Sequence, residues 1–298
     1  MTPALCTDAS ALAPPDTDWA LEADAITVAG GFRPALSELT LRLPTGAVLG
    51  LVGCNGAGKS TLLRCLVGLG APARGQCRLL GQPALQLQDA QRERLGYVAQ
   101  APDLFGHLDA LAHFQSLGHL YRGWDDQRAL ALARLLSLPL DVKAAQLSPG
   151  EQQKLSLVLA LGHDPDLLIL DEPMASLDPL TRRDVMRALF ERAPHRADRS
   201  IVISSHLLSD LERVVSHVAF LRDGRLQLMG AWDDLAEQVR RIPLSAAELG
   251  QLPARSLLRL PGAAAARQPV LVDTRHAPAL ATEGRALSLD ELFMDLNS

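Results

Sequence analysis

The chain lacks the features that would place it in a membrane, outside the cell or on nucleic acid. No apolar stretch among its 298 residues approaches the ~18 needed to cross a bilayer. The first twenty residues carry Asp8, Pro14 and Pro15 but no basic start, which excludes a secretory signal and predicts a cytosolic chain. Cysteine is scarce: Cys6, Cys54, Cys65 and Cys77 form no C-x-x-C pair, so neither a disulfide framework nor a zinc site is expected. His107, His113 and His119 recur at a spacing that does not gather them on one helical face, which argues against a metal site there. Basic residues are not in excess either. The formal net charge is −5 with 21% charged and 48% hydrophobic residues, an ordinary globular balance without a broad nucleic-acid footprint.

What is present begins at residue 53. Gly53, Cys54, Asn55, Gly56, Ala57, Gly58, Lys59 and Ser60 match the spacing G-x-x-x-x-G-K-S, followed by Thr61. The apolar run Ala47 to Val52 suits a buried parallel strand, and Leu62 to Leu69 suits the apolar face of a helix. That context is what a phosphate-binding loop requires. The glycines let successive backbone N–H groups turn inward, and the following helix presents its positive end to phosphates. Lys59 is expected to pair with the outer phosphates and Ser60 to ligate Mg²⁺. Cys54 occupies a free position of the loop.

The rest of the chain reads as α/β. Leu167 to Leu170, Ile201 to Ser204, Val218 to Leu221 and Leu226 to Met229 are short apolar strand candidates, and Asp223–Gly224 signals a tight hairpin between the last two. They alternate with helical stretches at Arg182 to Arg192 and Leu207 to Val215, which predicts a mainly parallel sheet. Residues 101–164 show helical runs, His113 to Leu120 and Asp126 to Leu136, and read as a helical insert. Beyond about residue 235, Pro243, Pro253, Pro261, Pro269 and Pro278 exclude long regular helices. Val270 to Val272 suits a strand there, and Ser288 with Glu291 forms a capping box opening a last helix through Leu296. The expected layout is a tail over 1–20, a main domain over 21–235 and a small appendage over 236–298.

Downstream of the phosphate loop, the run Leu167 to Pro173 sets Asp171 and Glu172 at the end of a buried strand. Asp171 is expected to hold Mg²⁺ through its water shell, and Glu172 to polarise the water that attacks a γ-phosphate.

With these residues in view, the span from about 21 to 232 resembles the ATP-binding subunit of ABC transporters. Tyr97 to Gln100 is similar to that family's Q-loop, Leu147 to Lys154 lies where its LSGGQ motif belongs, Ala175 to Asp178 resembles its D-loop, and Ser204 to His206 its switch histidine. The resemblance implies a P-loop NTPase core of ABC type with a helical subdomain, ATP and Mg²⁺ as ligands, and hydrolysis by Glu172 with His206. It also implies that Gln100 reaches Mg²⁺, and that Ser148 and Gly150 contact the nucleotide of a second subunit in an ATP-sandwiched homo- or heterodimer.

The likeness departs from the pattern at two places. Pro149 and Glu151 replace the consensus residues, yet Ser148, Pro149, Gly150 and Glu151 together form a capping box with proline at the first helical position. Glu151 would bring negative charge toward a triphosphate unless its carboxylate turns back to the Ser148 N–H. The family's adenine-stacking aromatic is replaced by Gly30, and Phe32 is the nearby substitute, core packing being the alternative reading.

The wording of several segments, including Tyr121 to Asp125, Leu155 to Pro165 and Leu287 to Phe293, is similar to ATPases of type-two bacterial exporters. This implies separate multi-span membrane subunits, a location on the cytoplasmic face of the inner membrane, and a docking groove beside the Q-loop for which Leu104 and Phe105 are candidates, core packing in the insert being the alternative. Two other readings stay open: a soluble ABC ATPase acting on ribosomes or DNA, and a weakly hydrolysing regulatory subunit. Nucleic acid is not an expected partner.

Overall fold

The computed structural model describes residues 18–190, 198–205, 208–259 and 268–297. In chain order the elements are β1 (Trp19–Val28), β2 (Leu36–Pro44), β3 (Val48–Val52), α1 (Lys59–Leu66), β4 (Arg74–Leu79), β5 (Gln82–Pro83), α2 (Asp89–Arg92), β6 (Leu95–Val98), α3 (Ala110–Leu117), α4 (Asp126–Leu135), α5 (Pro149–Leu161), β7 (Leu167–Asp171), α6 (Pro179–Phe190), β8 (Ser200–Ser204), α7 (Leu208–Leu211), β9 (His217–Arg222) and β10 (Arg225–Ala231). The C-terminal part adds α8 (Trp232–Gln238), β11 (Val239–Leu244), α9 (Ala246–Gln251), β12 (Leu257–Arg259), β13 (Gln268–Asp273), β14 (Arg285–Ala286) and α10 (Leu289–Asn297).

A six-stranded sheet runs in the order β10-β9-β3-β8-β7-β6. Its strands are parallel except β10, which pairs antiparallel with β9. β7 and β8 are buried along their whole length, as strands covered on both faces must be, and this is why they read as unbroken apolar runs rather than alternating ones. Asp223 and Gly224 both take positive φ, 49° and 72°, the backbone a two-residue hairpin needs to match the twist of its strands.

The sequence reading did not foresee the second sheet, β2-β1-β4-β5. Its strands are buried on one face: in β2, Leu36, Leu39, Leu41 and Leu43 are buried and the residues between them are not. That inner face packs with α1 and one face of the parallel sheet in a common core that includes Leu49, Leu51, Leu62, Leu66 and Ile169. The other face of the parallel sheet belongs to a second core, shared with α3, α4, α5, α6 and α10.

Within the insert the expected helices form as α3 and α4, and α5 opens on the capping box: Glu151 N–H donates to Ser148 Oγ and Ser148 N–H to the Glu151 carboxylate. The helix expected over Leu207 to Val215 is shorter. α7 covers four residues and gives way to turns closed by Val215 N–H on Leu211 O.

The C-terminal residues form a third sheet, β12-β13-β11-β14, with a small core of Ile242, Leu244, Val270, Val272 and Ala277. Val239, Leu271, Leu287, Leu289, Leu292 and Leu296 instead join the main core, so the C-terminal part is packed onto the rest of the chain along one side. Its last helix opens on the expected capping box of Ser288 and Glu291. Among the described residues no helix is long and apolar enough to cross a membrane.

Candidate functional site

β3, β7 and β8 end side by side, with Leu51 and Asp171 both in register with Ser204. The carboxyl ends of parallel strands are where open α/β sheets collect ligands. The loop between β3 and α1 starts at this edge. Gly58, the N-cap of α1, has φ 106°, and a Cβ there would meet the Ala35 carbonyl at 2.8 Å; only glycine accepts both the conformation and the approach.

A cavity of about 300 Å³ is lined by Ala35, Cys54 to Thr61, Gln100 and Glu172. Gly53 does not line it but contributes its carbonyl to Lys59 Nζ at 2.7 Å, with the Cys54 carbonyl at 3.4 Å. Lys59 also faces Glu172 Oε1 at 3.4 Å. The structure therefore brings the loop, the glutamine and the proposed base around one space. A cation, a glycine loop and a helix N-terminus around one space make it suited to phosphate.

Asp171 and Glu172 are held by a residue to which the sequence reading assigned no role. Ser204 Oγ donates to Asp171 Oδ1 at 2.7 Å and accepts the Glu172 N–H at 2.8 Å. The signal was available in the pairing of two parallel strand ends, but it needs the register to be known. Glu172 takes φ 48°, a left-handed backbone that costs a non-glycine residue on the order of 1–3 kcal/mol and is found where surrounding bonds enforce it. The Ser204 hydroxyl provides one such bond.

Next to this cavity lies a groove of about 800 Å³, into which Ser60, Gln100, Asp171, Leu104, Tyr121 and Trp124 all open. Ser60 and Gln100 thus line both spaces. Hydroxyl, amide and carboxylate oxygens are the hard donors Mg²⁺ takes, so Ser60, Gln100 and Asp171 fit that ion. Burial and the Asp171 charge push the Tyr97 hydroxyl above its usual pKa, so it stays a neutral wall of the neighbouring strand. Leu104 is half-buried, lining the groove and also packing on the main core, as its core-packing reading expects. Phe105 is exposed and does not line the groove.

Other predicted residues stand apart. Ser148 and Gly150 lie at the start of α5, where Gly150 packs against the Ser176 carbonyl; neither lines the cavity. Ser148 Oγ donates to Glu151 Oε2 at 2.7 Å, and these bonds from Ser148 draw the Glu151 pKa below the ordinary carboxylate value. Phe32 is fully exposed, which excludes the core-packing reading. Asp178 caps α6 through Leu180 and Thr181 N–H. Cys54, Cys65 and Cys77 are free thiols, Cys54 exposed and the others buried. His206 lies outside the described residues.

A family model described as "ABC transporter" matches residues 36–175. The methionine import ATP-binding protein of Protochlamydia amoebophila is 32% identical over 201 residues, 64% of this chain and 59% of that protein. The bacitracin transport ATP-binding protein of Bacillus licheniformis is 30% identical over 217 residues, 71% of this chain and 69% of that protein. The Nod factor export ATP-binding protein I of Cupriavidus metallidurans is 32% identical over 200 residues, 65% of each. This chain therefore spans about three fifths to two thirds of the length of these relatives. Among solved structures, an ATP-binding subunit of an ABC transporter is 28% identical with a TM-score of 0.65 over 72% of this chain and 91% of its own. A dimeric ATP-binding cassette bound to ADP and Pi, 24% identical, shares the fold with a TM-score of 0.64 over 71% of this chain and 98% of its own.

Proposed function

The chain belongs to the ABC transporter family and carries its ATP-binding domain, and from that premise we propose that it is the ATP-hydrolysing subunit of an exporter whose membrane subunits are separate chains. The observation that carries the reading is the convergence of the Cys54–Thr61 loop, Gln100 and Glu172 on one cavity, with the groove opening beside Gln100. ATP would seat its phosphates on the loop N–H groups and Lys59. Glu172 would take a proton from the attacking water, with His206 orienting both. Mg²⁺, held by Ser60, Gln100 and Asp171, would neutralise charge on the phosphates.

Ser148 and Gly150 stand outside the cavity, which supports a sandwich in which they reach the nucleotide of a second subunit, identical or not. A dimeric neighbour of the same fold points the same way. ATP then does its work by favouring the closed pair, and hydrolysis reopens it. The groove beside Gln100 would receive a helix of a membrane subunit, which would hold the chain on the cytoplasmic face of the membrane. The relatives include both import and export proteins; export is favoured by the likeness of segments such as Leu287 to Phe293, which runs into α10, to type-two exporter ATPases.

The test is purification from gently solubilised membranes. A multi-span protein recovered with this chain at a fixed ratio, and losing it when Leu104 is made Asp, is the expected result. A chain found only in the soluble fraction or on ribosomes would overturn the transporter reading in favour of a soluble ABC ATPase.

A further inference from the structure

α10 connects the appendage to the phosphate loop. Its first turn is fixed by the Ser288–Glu291 box and by Leu289 N–H donating to Glu212 Oε1 at 3.2 Å. Leu289, Leu292 and Leu296 anchor its inner face in the main core. At the other end Arg222 Nη1 donates to the Leu296 carbonyl at 2.8 Å, a cation on the negative end of a helix. Asn297 Nδ2 donates to the Phe293 carbonyl at 2.8 Å. With its amide N–H engaged, the side chain turns Oδ1 toward Cys54, whose thiol donates to it at 3.6 Å.

Cys54 is the second residue of the phosphate loop and lines its cavity. The loop is tied from the other side by Gly224 N–H on the Ala57 carbonyl at 3.0 Å, and Gly224 lies two residues after Arg222. One hairpin thus holds both the loop and the end of α10. We infer that Asn297 is a positioning residue of the nucleotide site: from the end of α10 it fixes the lip of the phosphate loop through Cys54, which makes the appendage a working part of ATP binding. The inference rests on the phosphate-loop reading above.

A double-mutant cycle on the full chain tests it, with Mg·ATP affinity and steady-state hydrolysis as readouts and thermal melting as the fold control. Asn297→Ala and Cys54→Ala are each expected to raise the ATP Kd and KM about three-fold, as loss of one modest hydrogen bond does, with kcat held within about two-fold. The double variant is expected to be no weaker than either single one. Cys54→Ser, which keeps a donor at that position, should recover part of the affinity that Cys54→Ala loses, and only while Asn297 is present. An unchanged Kd in Asn297→Ala, or single effects that simply add, would overturn the inference while leaving the phosphate loop intact. A wild-type chain that binds no Mg·ATP would overturn both.

Discussion

Lys59 and Glu172 face each other at 3.4 Å with each side chain less than a tenth exposed. A buried pair of this kind holds its geometry because an unpaired charge there would be costly, and the Gly53 and Cys54 carbonyls give the lysine further partners. Glutamine keeps the shape and the two carbonyls keep hydrogen-bond partners for Lys59, but the lysine loses its counter-charge, so the fold should survive with a lowered melting temperature. Glu172→Gln is expected to bind ATP within a few-fold of wild type and to hydrolyse it at least ~100-fold more slowly, the usual contribution of a general base. Near-normal turnover beside a normal nucleotide Kd would remove Glu172 from that role.

How much of this was legible before the structure differs by element. The phosphate loop and the β7 end were readable because the chemistry needs particular residue types at fixed offsets, and because strands buried on both faces appear as plain apolar runs. β1, β2 and β4 were not, since a half-buried antiparallel strand mixes polar residues with apolar ones. β1 also bends where Ala25 takes a positive φ of 46° and its pairing register shifts, which breaks the alternation a reader looks for. Ser204 and Asn297 were invisible for another reason. Each matters only through a partner far away in sequence, Asp171 in one case and Cys54 in the other, and no local pattern reports that.

The Glu151 carboxylate turns back on Ser148 and occupies its hydroxyl, at 2.7 Å. In the closed dimer proposed above, that hydroxyl would reach the partner's nucleotide with a carboxylate beside it. Glutamine in its place keeps the box, which accepts either residue, but releases the charge. Glu151→Gln, placed in a Glu172→Gln background to prevent turnover, is expected to tighten the ATP-bound dimer roughly five-fold, on the scale of one exposed charge contact. Sedimentation at several chain concentrations reads this directly, and identical ATP affinity and dimerisation would end the idea.

Phe32 has no fold to support, being fully exposed on the segment before β2. Its truncation therefore isolates a binding role from a structural one. If its ring stacks on adenine, Phe32→Ala should raise the ATP Kd about ten-fold, within the range of ~1–3 kcal/mol for a base on an aromatic, and leave the melting temperature in place. Tyrosine or tryptophan at that position should restore affinity. An alanine variant with wild-type Kd would show that adenine is held elsewhere.

His163 is buried at the end of α5, stacked on Tyr121 with ring centroids 4.1 Å apart and with Nε2 3.2 Å from the Leu95 carbonyl. Burial lowers its pKa from the ordinary 6.5, and the same cause lowers that of His217. Below about 6.5 the unfolded chain takes up protons that these two folded histidines refuse, so unfolding becomes easier as pH falls, by at most ~1.4 kcal/mol per unit for each. Glu151, Asp178 and Glu291, whose pKa values are also lowered, lose their contribution only below about 4.5, the ordinary carboxylate range. The interval from pH 7.5 to 5.5 therefore isolates the histidines. The urea midpoint should fall across it in the wild type and fall less far in His163→Gln. A midpoint that stays level from 7.5 to 5.5 would mean that neither ring resists protonation in the folded chain.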